Sequence, residues 1–107
     1  MLYQALMVRR IKAEDTASVA DVFADHDATG LPARVGITER SLFEYRGLYF
    51  HLVQADEDFR DRLYSPGNAP LIKEVDARLK PYLLPFEEGL PAMSDSQATR
   101  FYHWTAL

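Results

Sequence analysis

The sequence predicts an α+β domain whose elements run strand, helix, strand, strand, helix, strand. This is the ferredoxin-like β-α-β-β-α-β arrangement, a four-stranded antiparallel sheet with both helices on one face. Three observations carry the prediction. Residues 36 to 54, GITERSLFEYRGLYFHLVQ, read as two strands folded back on each other around Arg46-Gly47. Residues 14 to 28 place Val19, Val22, Phe23 and His26 on one helical face. Residues 97 to 105 alternate Ala98, Arg100, Tyr102 and Trp104 against Thr99, Phe101, His103 and Thr105, the period of a strand.

Taken in chain order, Leu2 to Ile11 is short, apolar and bounded by the turn-like Lys12 to Asp15, and it reads as a central strand. The helix over 14 to 28 starts with acidic residues that suit its N-terminus, and it stops at Thr29-Gly30-Leu31-Pro32. The hairpin follows directly. With a two-residue loop, Tyr45 lies opposite Leu48, Phe43 opposite Phe50, Leu42 opposite His51 and Arg40 opposite Val53. One face then carries Arg40, Leu42, Tyr49, His51 and Val53, and the other Ser41, Phe43, Tyr45, Leu48, Phe50 and Leu52. A loop one residue longer or shorter would move His51 to the opposite face.

Asp56 is the expected N-cap of a short helix running to Tyr64, with Phe59 and Leu63 on its buried side. A second helical piece starts at Asn68 or Ala69, has Pro70 in its first turn and Leu71, Val75 and Leu79 on one stripe, and ends near Pro81. Leu84 to Ser94 reads as an ordered loop able to act as a lid.

Composition narrows the function. A chain of 107 residues with 48% hydrophobic content makes one domain, residues 1 to 107, with a modest core. Cysteine is absent, which excludes disulfides, thiolate zinc sites and cysteine nucleophiles and suits a cytoplasmic protein. No apolar run reaches membrane-spanning length, and MLYQALMVRRI does not have the layout of a signal peptide. A net charge of −4 with scattered basic residues argues against a nucleic-acid partner.

The hairpin also suggests chemistry. If His26 faces the sheet, the hairpin face bearing Arg40 and His51 is the helix-covered one, and the apolar face points away. Bare apolar surface of that extent marks an interaction site, so a homodimer packed sheet to sheet, a dimeric α/β barrel, is expected. On the covered face Arg40 and His51 are diagonal neighbours, roughly 7–8 Å apart at the backbone, and both can contact one small molecule. Polar groups at His26, Asp27, Arg40, Tyr49 and His51 on buried surfaces point to a cavity rather than solid packing. Two imidazoles near a fixed cation suit proton removal beside a carbonyl, with arginine stabilising the enolate oxygen.

Each of these residues also has a plainer reading. A histidine on an apolar helix face is commonly a satisfied core residue, and a strand arginine commonly snorkels or pairs with an acid. His103 reads as a surface residue. Metal ligation by His26, Asp27 and His51 is conceivable but matches no established spacing, so no metal is expected. Tyr3, Phe23, Tyr49, Phe86 and Trp104 are core by default, yet any of them can line a pocket for flat rings, and Phe23, Tyr49, Phe86 and Trp104 are the candidates for substrate contact.

The segments YQALMVRRI, VFADHDATGLP, LFEYRGLYFHLVQADEDFRDRLY and FYHWTAL, in that order, resemble the aromatic polyketide cyclases of the tetracenomycin cyclase type over nearly the whole chain. The resemblance is most specific at FADHD and at the LY-H-L strand. It implies a dimeric α/β-barrel fold and a cofactor-independent enzyme closing and aromatising rings of a poly-β-ketone or partly cyclised intermediate. It further implies antibiotic or pigment biosynthesis beside a type II polyketide synthase, and catalytic roles for His26, Asp27, Arg40 and His51. Two rival readings stay open: a cofactor-independent monooxygenase on the same barrel, and a non-catalytic component that binds a reactive intermediate.

Overall fold

The computed structural model describes residues 3 to 87 and 97 to 106. Strand β1 (Tyr3–Arg10) leads through a 3-10 turn (Ala13–Asp15) into helix α1 (Thr16–Ala28). A four-residue helix α2 (Leu31–Arg34) precedes strands β2 (Ile37–Tyr45) and β3 (Leu48–Ala55), and helices α3 (Arg60–Leu63) and α4 (Ala69–Leu79) follow. Among the described residues the sheet has three antiparallel strands in the order β1-β3-β2. The central strand is therefore β3, and β1 lies at an edge.

The hairpin forms in the predicted register, with Tyr45 opposite Leu48, Phe43 opposite Phe50, Leu42 opposite His51 and Arg40 opposite Val53. Its turn is a tight one with positive φ at both loop residues, Arg46 at 50° and Gly47 at 83°. That pair of angles matches the right-handed twist of the flanking strands, and glycine adopts it without strain. The Gly47 carbonyl accepts from the Ile11 N–H at 3.0 Å, which ties the turn to the end of β1.

Strand β3 alternates strictly, with Tyr49, His51, Val53 and Ala55 buried under the helices. Pairing brings Ala5, Met7 and Arg9 of β1 and Arg40 and Leu42 of β2 onto this same inner face. Two apolar clusters fill the space beneath the helices. One joins Ile11, Val19, Val22, Phe23 and Tyr49 to Val75, Leu79 and Leu83. The other gathers Leu31, Val35, Val53, Ala55, Phe59 and Ile72. Leu31 is completely enclosed, which removes about 2 kcal/mol worth of apolar surface from water. On the outer face Phe43 and Tyr45 stay more than half exposed.

Several expectations are corrected by local hydrogen bonding. Gly30, at φ 82°, ends α1 as predicted, but the chain then turns into α2 instead of entering the hairpin, with Pro32 inside its first turn. Helix α3 begins at Arg60 rather than beside Asp56, because the Asp58 carboxylate accepts from the Arg60 N–H at 3.0 Å and holds the preceding residues in a turn. Helix α4 has the predicted bounds, but its buried stripe is Ile72, Val75 and Leu79.

The fourth strand is the largest departure. Residues 97 to 106 have no regular structure beyond an isolated bridge between Gln97 and Met7. The Ala98 N–H still reaches the Leu6 carbonyl at 2.6 Å. Beyond it the backbone makes no further pairing among the described residues, although the Arg100 side chain still donates to the Gln4 side chain of β1 at 3.3 Å. Most of the anticipated lid, residues 88 to 94, lies outside the described residues.

Candidate functional site

Helix α1 delivers His26 to the inner face of the sheet because Val19, Val22, Phe23 and His26 share one buried stripe. The helix end fixes it further. Thr29 donates its hydroxyl to the His26 carbonyl at 2.6 Å and accepts the Leu31 N–H at 3.2 Å, clamping the α1–α2 corner. Beneath, a cavity of about 90 Å³ is lined by Phe23, His26, Arg40 and His51. Its apolar wall includes Met7, Val53, Phe59, Ile72 and Leu79.

A polar chain runs from the surface into this cavity. Arg40 Nη2 lies 3.0 Å from the half-exposed Asp27 carboxylate, and its Nε–H donates to both Asp27 oxygens at 3.1 and 3.2 Å. At its other end Arg40 Nη1 lies 2.7 Å from His51 Nε2. A guanidinium has no acceptor, so Nε2 must offer its lone pair and the single ring proton must sit on Nδ1. His51 is thus a neutral imidazole presenting an N–H, and its buried Nδ1 meets no protein partner among the described residues. Electrostatics agree, since burial first, then Arg40, then His26, hold its pKa down at about 3.

His26 is also driven below the usual histidine value, by burial and then by Arg40, with Asp27 and Glu74 acting in the opposite sense. At neutral pH it is an uncharged base. Phe23 holds the group together: its ring stands edge-on to His51 at 4.9 Å and carries the Arg40 guanidinium at 4.8 Å. Tyr49 packs 6.0 Å from His51, its hydroxyl buried and its pKa raised by that burial against the pull of Arg40 and Arg9.

The structure therefore brings together His26, Asp27, Arg40, His51 and Phe23, with Tyr49 behind them. Phe86 and Trp104 are placed elsewhere. Phe86 lies on the surface, where Arg10 covers its ring at 4.6 Å and donates to its carbonyl at 2.9 Å. Trp104 is 70% exposed on the C-terminal segment. Among the described residues no group of three His, Cys, Asp or Glu side chains is arranged to hold a metal ion.

With this geometry in place, the comparisons with known proteins become decisive. The polyketide synthesis cyclase family model matches residues 3 to 105. The chain belongs to that family. Tetracenomycin F2 cyclase of Streptomyces glaucescens is 44% identical over 106 residues, covering 99% of this chain and 97% of that protein. The polyketide synthase CurG of Streptomyces cyaneus is 30% identical over 104 residues, 96% of this chain and 97% of its own. The solved structure of tetracenomycin F2 cyclase, described as a type II polyketide cyclase, superposes with a TM-score of 0.88, covering 98% of this chain and 99% of that one.

Two polar residues of this cyclase cavity escape the reading of spacing, Tyr64 and Asp76. The stripe Leu71, Val75, Leu79 puts Asp76 on the flank of α4. The buried set Ile72, Val75, Leu79 turns the helix toward it. A carboxylate four residues after a buried isoleucine was the available signal.

Proposed function

We propose that this polyketide cyclase closes a ring of an aromatic polyketide intermediate by aldol addition and dehydration, using its own side chains and no cofactor. The observation that carries the reading is the 2.7 Å contact between Arg40 and His51, which fixes a cation and a neutral imidazole side by side on the wall of one cavity. A hydrogen between two ketones is already acidic, so the work is to fold the chain and move protons.

His26, neutral and facing the cavity, takes the proton from the nucleophilic carbon. The electron pair moves onto the ketone oxygen, where Arg40 stabilises the enolate. That carbon then attacks a second carbonyl held beside His51, and the new alkoxide takes the proton back from His26. Asp27 holds Arg40 in position from the solvent side. The cavity is smaller than a multi-ring substrate, so the reacting end enters it and the remainder lies across the mouth.

The active form in this reading is a cytoplasmic homodimer working beside a type II polyketide synthase. Support comes from the outer sheet face, where Leu6, Val8, Phe43, Tyr45, Leu48, Phe50 and Leu52 form an apolar surface, and from Phe101, Tyr102 and Trp104, all mostly exposed on the single chain. A second copy would cover both and give the C-terminal segment a strand to pair with, completing a four-stranded sheet. Sedimentation at micromolar concentration showing only monomer would remove the dimer.

The test of function supplies a poly-β-ketone made in place by a minimal aromatic polyketide synthase. Products of the wild type and of an Arg40→Ala, His51→Ala double variant are compared by mass and ultraviolet spectrum. A ring system lighter by one water and with no oxygen gained, lost in the variant, establishes the cyclase. Arg40→Ala alone should slow the reaction by roughly tenfold to a thousandfold, and a change within twofold removes its role. A product that gains oxygen selects the monooxygenase, and no difference from the protein-free control selects a binding component.

A further inference from the structure

The cavity has a second polar end that the ring-closing scheme leaves unused. His26, Arg40 and His51 come from α1, β2 and β3. Tyr64 and Asp76 line the same cavity from the end of α3 and from α4. Asp76 interacts electrostatically with Arg9, which is on β1. The order β1-β3-β2 sets β1 and β2 about 10 Å apart at the backbone. The cavity thus takes polar groups from two sets of elements, His26, Arg40 and His51 from α1, β2 and β3, and Tyr64 and Asp76 from the α3 end and α4.

Asp76 and Tyr64 stand where the cavity opens to solvent, both side chains exposed. The Asp76 carboxylate has no hydrogen bond or salt bridge among the described residues, whereas the Asp25 carboxylate is paired with Arg78 at 3.0 Å. Partial burial raises its carboxyl above the ordinary aspartate value, against the opposing pull of Arg9. The neighbouring Tyr64 hydroxyl is shifted upward by burial and by Asp76 itself.

Resting on the cyclase reading above, we infer that Asp76, assisted by Tyr64, is the catalytic acid that protonates the hydroxyl leaving in the dehydration step. After aldol closure the intermediate is a β-hydroxy ketone. His26 removes the α hydrogen, and the electron pair of that C–H bond becomes the new C=C bond as the β C–O bond breaks. The departing oxygen takes the proton of the Asp76 carboxyl and leaves as water through the adjacent mouth. His26 ends protonated and Asp76 ionised, and one proton passing from imidazole to carboxylate through solvent restores both. No oxidant or reductant is needed.

The experiment uses the same in-place poly-β-ketone with wild type, Asp76→Asn, Asp76→Glu and Tyr64→Phe, following products in time by mass. Asp76→Asn keeps the shape and removes the acid. The inference expects ring closure at the wild-type rate, dehydration slowed about 100-fold, and accumulation of a cyclised product heavier by one water. Asp76→Glu should recover part of the dehydration rate, which a purely structural role would not predict, and Tyr64→Phe should give a milder form of the Asn result. Dehydration at the wild-type rate in Asp76→Asn overturns the assignment, as does a parallel loss of both steps. A wild type that closes no ring overturns the cyclase reading, and this inference falls with it.

Discussion

Exchanging His51 for glutamine tests the neutral-imidazole argument through stability instead of turnover. Glutamine keeps an acceptor within reach of Arg40 but does not titrate. In the wild type the folded pKa of His51 is about 3, against 6.5 for an unperturbed histidine. Above pH 6.5 neither folded nor unfolded chain binds this proton, and the group has no effect on stability. Below it the unfolded chain takes up a proton that the folded chain refuses, so stability falls as the pH drops toward about 3. Between pH 8 and pH 5 the loss is about 2 kcal/mol, from about 1.4 kcal/mol per pH unit over about 1.5 units. Urea unfolding followed by far-ultraviolet circular dichroism at the two pH values measures it. His26 and the carboxylates titrate in both chains and drop out of the difference. The wild type should lose about 2 kcal/mol more than His51→Gln, and equal losses would refute a buried, proton-refusing His51.

Leu31→Ala empties a completely enclosed site among Val35, Val53, Ala55, Phe59 and Ile72 and should cost about 3 kcal/mol in urea unfolding. Gly47→Ala should cost about 1 kcal/mol in the same assay, since φ 83° strains an alanine although its Cβ would clear the Ile11 carbonyl at 3.6 Å. Asp27→Asn should change stability by less than about 1 kcal/mol, because the Asp27 carboxylate is half exposed, yet slow ring formation severalfold in the polyketide assay by loosening Arg40.

How far the sequence could be read depended on how local the signal was. The hairpin register followed from Arg46-Gly47 and strict alternation, both confined to a few residues, and it placed Arg40 and His51 on one face. His26 followed from a four-residue helical stripe. The short α2 was hidden because Gly30 and Pro32 signal both the end of one helix and the start of another. Residues 97 to 105 have genuine strand periodicity, but pairing is a property of two strands, and a single chain offers this one only the first contacts along β1. Asp76 was missed since 71-75-79 and 72-75-79 are both respectable helical stripes, and only packing against Val53 and Phe59 chooses between them.

Strand β3 serves both faces of the protein at alternate residues, with His51 in the cavity and Phe50 and Leu52 on the outer surface beside it. A single inserted or deleted residue between the turn and His51 would exchange these assignments, putting an imidazole into the apolar surface and a leucine or phenylalanine under the helices. Length changes in this strand are thereby closed to evolutionary drift. Divergence in substrate choice within such a scaffold must come from side-chain replacement at fixed spacing, or from the helices and loops around the mouth, where Tyr64 and Asp76 stand.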